Sequence, residues 1–225
     1  MPRAAALTLL VLTACGGVDP LGPSPEDDAC TAPAGMGSPA TIEDTVELIN
    51  ALDKPVTLPC LLESLDRPLG VRATSHVGSA QPPEGPENPR IFVILGDLWL
   101  SVVTKGEGRP LLEFGVRREG GRSLKGELRF PIDDEVHRSA PYVRIDEGTG
   151  TVCANCHVNE ERDRSIDFAR AYQSIIVEVP DGTGIALEGL QQLWADCDAD
   201  EEPDRCAMFD GILGHGDVAD ADFGP

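Results

Sequence analysis

The spacing of apolar residues changes along the chain, and the change separates helical from extended segments. Apolar residues recur at helical spacing from Ile42 to Leu52, in TIEDTVELINAL. Thr41 stands before them as a candidate N-cap with Asp44 three positions later, and Pro55 follows them. The sequence therefore predicts a short N-terminal helix.

Beyond this segment the period becomes two. Apolar and polar residues alternate in LLEFGVRR and SLKGELRF, and Gly120 and Gly121 lie between them, which predicts a β-hairpin with one buried face. Apolar runs on either side of Gly96 and Asp97 predict two more strands, and further strands are predicted in GVRATSHV, PYVRI and YQSIIVEV. Short strands separated by Gly and Pro turns favour an antiparallel sandwich or barrel.

Helical spacing returns near the C-terminus, in GIALEGLQQLWADC and DRCAMFDGILGHG. Cys197 and Cys206 bracket the polar loop DADEEPDR, so a disulfide between them would join the two helices as an α-hairpin. The predicted fold is mainly β, an antiparallel sandwich or barrel, with a short N-terminal helix and a C-terminal α-hairpin.

The length of 225 residues favours one domain with short appended segments. Four successive segments are predicted: a signal peptide at 1–14, a Pro-, Gly-, Ser- and Asp-rich tether at 15–40, a β-rich domain at 41–150, and a segment at 151–225 that packs on that domain.

The first seventeen residues have the order of an export signal, with Arg3 followed by an apolar run too short to span a bilayer. The quartet that ends this run, LTAC, resembles the lipobox of bacterial lipoproteins. The resemblance implies cleavage before Cys15, lipid on its thiol, and a lipid-anchored protein of the bacterial cell envelope; Gly16 after the cysteine favours the outer membrane. The alternative is a plain secretory peptide with a chance cysteine.

Acidic residues outnumber basic ones by 39 to 18, which gives a formal net charge of −21. This charge argues against nucleic acid or an anionic lipid surface as a partner. The negative charge fits a highly soluble surface. A more specific interpretation is an acidic face on which a basic redox partner docks.

Six cysteines remain if Cys15 is lipidated, and an even number in an oxidising compartment suits disulfides. Besides the pair between the predicted helices, Cys30 and Cys60 flank the first folded segment and are predicted to be bridged. Cys153 and Cys156 are then left over.

These two cysteines and His157 form the pattern C-x-x-C-H in TGTVCANCHVNE, the pattern of c-type haem attachment. The stretch resembles the haem-binding segment of cytochrome f, itself largely β, over about ten residues. The resemblance implies covalent haem c on Cys153 and Cys156, with His157 as the proximal iron ligand. It implies nothing about the fold of the whole chain.

Two other interpretations of the motif remain open. Cys153 and Cys156 could form a tight disulfide beside an exposed His157, or the three residues could bind zinc or another metal with a fourth ligand. The residues after the motif, VNEERDRSID, are strongly polar, whereas a haem needs apolar surroundings. The preceding APYVRIDEGTG is predicted to be strand and turn, unlike the helix before the motif of small α-helical cytochromes c.

A second axial ligand would have to come from elsewhere in the chain. The candidates are His76, His137, His215 and Met208, although the apolar helix position of Met208 also suits core packing. A five-coordinate haem would favour ligand sensing or peroxidase chemistry over electron transfer.

The sequence thus predicts an exported lipoprotein that carries a c-type haem for electron transfer. The alternative is a cofactor-free, disulfide-stapled envelope lipoprotein that acts as a binding or structural module. No G-x-S-x-G, H-E-x-x-H or P-loop motif indicates an enzyme.

Overall fold

The computed structural model describes residues 30–77, 82–177 and 179–223, and within them nine strands form a single sheet. The strands are β1 (Leu69–Thr74), β2 (Arg90–Leu95), β3 (Leu98–Val103), β4 (Leu111–Arg118), β5 (Arg122–Arg129), β6 (Glu161–Asp163), β7 (Ala171–Ile175), β8 (Gly184–Ile185) and β9 (Val218–Asp220). The helices are α1 (Ile42–Ala51), α2 (Leu58–Glu63), α3 (Ala140–Ile145), α4 (Leu187–Ala195) and α5 (Pro203–Leu213), with a short 3₁₀ helix at Val152–Asn155.

The strand order is β6-β7-β5-β4-β3-β2-β1-β8, and each pair in this order is antiparallel. Strand β9 lies off this path and pairs parallel with β1. The prediction of a mainly antiparallel β fold with an N-terminal helix and a C-terminal α-hairpin is confirmed. The strands from both halves of the chain share the one sheet.

Glycines close the two central hairpins. A two-residue turn joins β2 to β3 and begins with Gly96 at φ 65°, and the turn between β4 and β5 has Gly120 at φ 72° and Gly121 at φ 69°. Residues that carry a Cβ rarely adopt a positive φ, which explains why glycine occupies these turn positions.

One face of the sheet packs against helices and forms the core; we call it the helix face. Its residues are aliphatic or aromatic on every central strand, as in the cross-strand row Val71, Val93, Leu100 and Phe114. Buried residues of α1, α2, α4 and α5 continue the same cluster. Burial of this apolar area is the main stabilising term of the fold.

Helix α1 begins where the sequence predicts. The Thr41 hydroxyl accepts a hydrogen bond from the Asp44 backbone N–H at 3.0 Å, and the Asp44 carboxylate accepts one from the Thr41 N–H at 3.0 Å. This reciprocal capping box satisfies two donors that the helix itself leaves unpaired.

The segment PYVRI is a helix, so its prediction as a strand was wrong. Tyr142 and Ile145 are buried one turn apart, while Val143 between them is 62% exposed, which is a helical and not an alternating pattern. Pro141 occupies the first turn, where its missing N–H is not needed. Packing of α3 on β5 at Gly126 outweighs the β propensity of Tyr, Val and Ile.

Both predicted structural disulfides are present, Cys30–Cys60 and Cys197–Cys206. Residues 30–40, assigned to the tether by the sequence analysis, lie against the domain, where the carbonyl of Gly37 accepts a hydrogen bond from the Asp66 N–H at 2.8 Å. The predicted signal peptide, the remainder of the tether and Cys15 lie outside the described residues. In the described ranges, no helix has both the length and the hydrophobicity needed to cross a bilayer.

Candidate functional site

The opposite face of the sheet is also covered; we call it the pocket face. Every residue of β3 is buried, so this central strand has packed material on both sides. The pocket face carries a mixture of charged and aromatic side chains, among them Arg90, Phe92, Trp99, Glu113 and Lys125. A buried face of this composition is unlike a hydrophobic core.

The C-x-x-C-H motif lies over the pocket face as one tight helical turn. The Thr151 hydroxyl accepts a hydrogen bond from the Cys153 N–H at 3.1 Å and caps the turn. The Cys153 carbonyl then accepts hydrogen bonds from the N–H groups of Cys156 at 3.1 Å and His157 at 2.9 Å. Residues three and four positions apart share one side of a helical turn, so this geometry directs the two thiols and the imidazole to a common side.

The motif turn is anchored by residues on either side of it. The Glu160 carboxylate accepts hydrogen bonds from the Thr151 N–H at 2.8 Å and from the Thr151 hydroxyl. Asp146 forms a β-bridge with Thr151, and its carboxylate accepts a 2.7 Å hydrogen bond from Arg170 Nε. These contacts of the flanking residues help to hold the motif turn over the pocket face.

Cys153, Cys156 and His157 all line one pocket between the motif turn and the sheet, and the pocket opens to solvent at its mouth. Aromatic walls come from Phe92 and Trp99, and apolar cover comes from other parts of the chain, namely Phe223, Ile176, Val177 and Val179. The polar residues that follow His157 in sequence are therefore not the ones that surround the pocket.

Residues 176–183, which we call the crossing loop, connect β7 to β8 across the pocket face; residue 178 lies outside the described part. At its start the Ile176 N–H donates to the Gly121 carbonyl at 3.0 Å, and at its end the Thr183 carbonyl accepts from the Ser75 N–H at 2.9 Å. The loop is thus fixed at both sides of the sheet, and it forms one wall of the pocket.

The environment of His157 suits a metal ligand. Its Nδ1 lies 3.3 Å from the Ile175 carbonyl oxygen, so Nδ1 carries the proton and donates, and Nε2 retains a free lone pair. Burial, and then the nearby positive charge of Lys125, lower the pKa of His157 to about 4. The imidazole is therefore neutral at neutral pH.

Cys153 and Cys156 are free thiols, whereas the other four described cysteines are bridged. The structure therefore has no disulfide between Cys153 and Cys156, which was one interpretation of the motif. His157 is half-buried and not exposed. Burial raises the pKa of the Cys153 thiol to about 11, so it is protonated at neutral pH.

Charged groups form the floor of the pocket. Arg90 pairs with the Glu113 carboxylate and donates from Nε to the Ser101 hydroxyl at 2.6 Å. The ammonium of Lys125 has no hydrogen bond or ion pair within the described residues, although the residue is only 9% exposed. Burial is the main reason that the pKa of Lys125 falls to about 8.

The four candidates for a second axial ligand lie in different places. Met208 is 2% exposed in the core cluster, on the far side of the sheet from the pocket. His137 is bonded through Nδ1 to the Ser139 hydroxyl at 2.7 Å, and His215 lies between two carboxylates at the end of α5. His76 is the candidate that lines the same pocket as His157.

The pocket-face residues were not predicted from the sequence, because the polar side of each alternating strand was expected to face solvent. A signal was nevertheless present in LWLSVV, a nearly continuous apolar run. Such a run is typical of a strand buried on both faces. It indicated that something covers the second face, although it could not identify what.

Residues 30–77, 82–177 and 179–223 contain no group of three or more His, Cys, Asp or Glu side chains arranged to hold a metal ion. A c-type haem does not require such a group. The cysteine thiols bind carbon atoms of the haem, and the protein supplies only the axial ligands to the iron. No protein-family model, curated protein or solved structure matches this chain.

Proposed function

We propose that this protein is an exported lipoprotein that carries a covalently attached c-type haem in the pocket and serves in electron transfer. The observation that carries the proposal is the convergence of Cys153, Cys156 and His157 on one pocket with aromatic walls. The free thiols and the neutral imidazole match the donor set that haem c attachment uses.

The chemistry of attachment balances with the two thiols alone. Each S–H adds across one vinyl double bond, so that sulfur bonds to one vinyl carbon and the hydrogen goes to the other. No external oxidant is consumed. A disulfide between Cys153 and Cys156 would instead require removal of two electrons, and the free state of both thiols supports the addition.

His157 holds the iron in this proposal. The Ile175 carbonyl fixes the ring through Nδ1, which leaves Nε2 as the ligand atom, and this partner also raises the basicity of the imidazole. When bound, a c-type haem supplies a one-electron iron couple. Phe92, Trp99 and Phe223 give one side of the pocket an apolar surface, and residues of the crossing loop give it to another.

The location and partner belong to the same proposal. A lipid on Cys15 would hold the protein at the bacterial envelope, and the oxidising compartment suits the two disulfides that the structure contains. The net charge of −21 supports docking of a basic redox partner, since opposite charges steer such encounters.

The decisive experiment measures the intact mass of denatured, reduced protein from a host that attaches haem c. We expect the polypeptide mass plus one haem, unchanged by reductant, with neither Cys153 nor Cys156 open to alkylation. A Cys153→Ser, Cys156→Ser double variant should lose the added mass. A matched control, Cys197→Ser with Cys206→Ser, should keep it.

The opposite result is equally clear. If the wild-type chain has polypeptide mass alone and both motif cysteines are alkylated, the haem proposal is wrong. The disulfide-stapled lipoprotein without a cofactor then becomes the better description.

A further inference from the structure

We infer that His76 is the second axial ligand of the iron, on the side of the haem opposite to His157. This inference rests on the function proposed above. It names the ligand that the sequence leaves open among four candidates, and it predicts a six-coordinate iron with two histidines.

The other three candidates have different roles in the structure. Met208 fills the core on the helix side of the sheet, and the ring of His137 is bonded to Ser139 outside the pocket. His215 forms ion-pair contacts with Glu63 at 3.4 Å and Asp210 at 3.2 Å. Each would have to abandon its present contacts to reach the pocket.

The imidazole of His76 is different, because within the described part of the chain it has no hydrogen bond or ion pair, and it lines the pocket. A histidine ring without a partner retains a lone pair for a metal. His76 is exposed at the pocket wall, so its ring can turn toward the pocket without losing a buried contact.

The backbone that carries His76 is nevertheless fixed. The His76 N–H donates to the Thr74 hydroxyl at 3.1 Å, and that hydroxyl and the Ser75 N–H both bond to the Thr183 carbonyl, at 3.1 and 2.9 Å. Thr183 is the last residue of the crossing loop, and the Ile175 carbonyl that orients His157 stands directly before its first residue. The two histidines are therefore fixed to opposite ends of one loop that spans the pocket.

A second histidine ligand would determine which chemistry the iron can perform. With both axial positions filled by nitrogen, small molecules reach the iron only after His76 leaves. Such a site suits electron transfer and disfavours ligand sensing and peroxidase chemistry, which need an open position. A second histidine ligand would therefore favour electron transfer over the two other functions that the sequence leaves open.

The experiment compares four haem-loaded proteins by absorption and electron paramagnetic resonance: wild type, His76→Ala, His76→Met and the control His137→Ala. Wild type and His137→Ala should have the low-spin ferric signal of two nitrogen ligands. His76→Ala should become high-spin, and His76→Met should show the spectrum of a histidine–methionine pair or become high-spin. Intact mass is measured first on each protein, so that loss of haem is distinguished from loss of a ligand.

Binding of carbon monoxide to the ferrous protein gives a second measurement. If His76 occupies the iron about 99% of the time, its removal should tighten carbon monoxide binding about 100-fold, because the competent fraction rises from about 0.01 to 1. His137→Ala should bind as weakly as the wild type.

Two results would overturn the inference. One is haem-loaded His76→Ala with an unchanged low-spin signal; another is a high-spin wild type. If the signal is instead lost in Lys125→Met, Lys125 is the ligand, since its ammonium also lines the pocket and has no hydrogen bond or ion pair among the described residues. If no variant carries haem, the proposed function fails, and the inference fails with it.

Discussion

The two faces of the central sheet are built from the same strands and are both covered by other parts of the chain, yet they differ in chemistry. On the helix face the row Val71, Val93, Leu100 and Phe114 is apolar throughout. The neighbouring row on the pocket face has Arg72, Phe92, Ser101, Glu113 and Glu127. Alternation in these strands therefore separates an apolar core from a partly covered polar pocket, and not a core from open solvent.

The difference matters because burial of polar groups opposes folding unless they are paired. Arg90, Ser101 and Glu113 satisfy one another, but Lys125 does not have such a partner among the described residues. A sequence selected only for stability would not keep an unpaired ammonium in a covered pocket. Groups that violate local rules in this way are concentrated at functional sites.

The largest expected effect concerns the apolar helix face. Phe209 of α5 is fully buried, so Phe209→Ala should lower the free energy of unfolding by about 3–5 kcal/mol, measured by urea denaturation. The matched variant Phe223→Ala removes the same ring from the half-buried pocket side, where it contacts Phe92 and Trp99, and should cost about 1–2 kcal/mol. Equal losses would mean that the pocket face is a second core.

The next prediction concerns the buried charge. Lys125→Met should stabilise the protein near pH 7 by about 3 kcal/mol, the free energy that corresponds to a pKa lowered from 10.5 to about 8. Between pH 8 and 10.5 the unfolded wild type binds more protons than the folded wild type, so its stability rises with pH. The advantage of the variant should therefore disappear over that range.

Urea denaturation of both proteins at pH 7, 9 and 10.5 measures this effect. Lys105→Met serves as the control, because Lys105 is half-exposed and paired with Glu202 at 3.2 Å. A Lys125→Met protein that is less stable than wild type at pH 7 would contradict the assignment of Lys125 as an unpaired buried charge.

The smallest expected effect concerns the contact between Gly115 and Trp99 on the pocket face. Gly115 lets the indole of Trp99 lie against β4, and a Cβ there would be 2.8 Å from Trp99 Cε3. Gly115→Ala should therefore cost about 1–3 kcal/mol and shift the fluorescence of Trp99, measured in a Trp194→Phe background. Gly184→Ala, whose added Cβ would meet nothing closer than 3.7 Å, should change neither quantity appreciably. An unshifted emission in Gly115→Ala would mean that Trp99 does not depend on this glycine.

Much of the fold follows from local signals in the sequence. The capping box at Thr41, the glycine turns and the period-two strands are each specified by a few adjacent residues, and both disulfides follow from cysteine spacing and the elements around them. The failure at PYVRI has the same origin, because five residues are too few to distinguish periods of two and 3.6. The segment is a helix in the structure, where Pro141 packs at Gly126.

The candidate site was predictable only in part. The C-x-x-C-H motif is local, so its three residues could be identified from spacing alone. Its surroundings come from β1 to β5, the crossing loop and Phe223, and these meet only through strand register, as in the pairing of Gly115 with Lys125. Register over such sequence separations is set by the complete sheet and not by any one segment. For the same reason, the sequence alone could not show which of the four candidates lies at the pocket.

The pairing of strand β1 has a further consequence for the order in which the chain folds. It pairs with β2 on one side and with β8 and β9 on the other. Because β9 lies near the C-terminus, Leu69 can pair with Val218 only after almost all of the chain is available. A polypeptide translocated from its N-terminus presents Cys153 and Cys156 to the new compartment before those last strands arrive. Contacts of such long range form late, because loop closure is slow. For a chain exported as proposed, the thiols are accessible to attachment enzymes before β8, β9 and Phe223 complete the pocket.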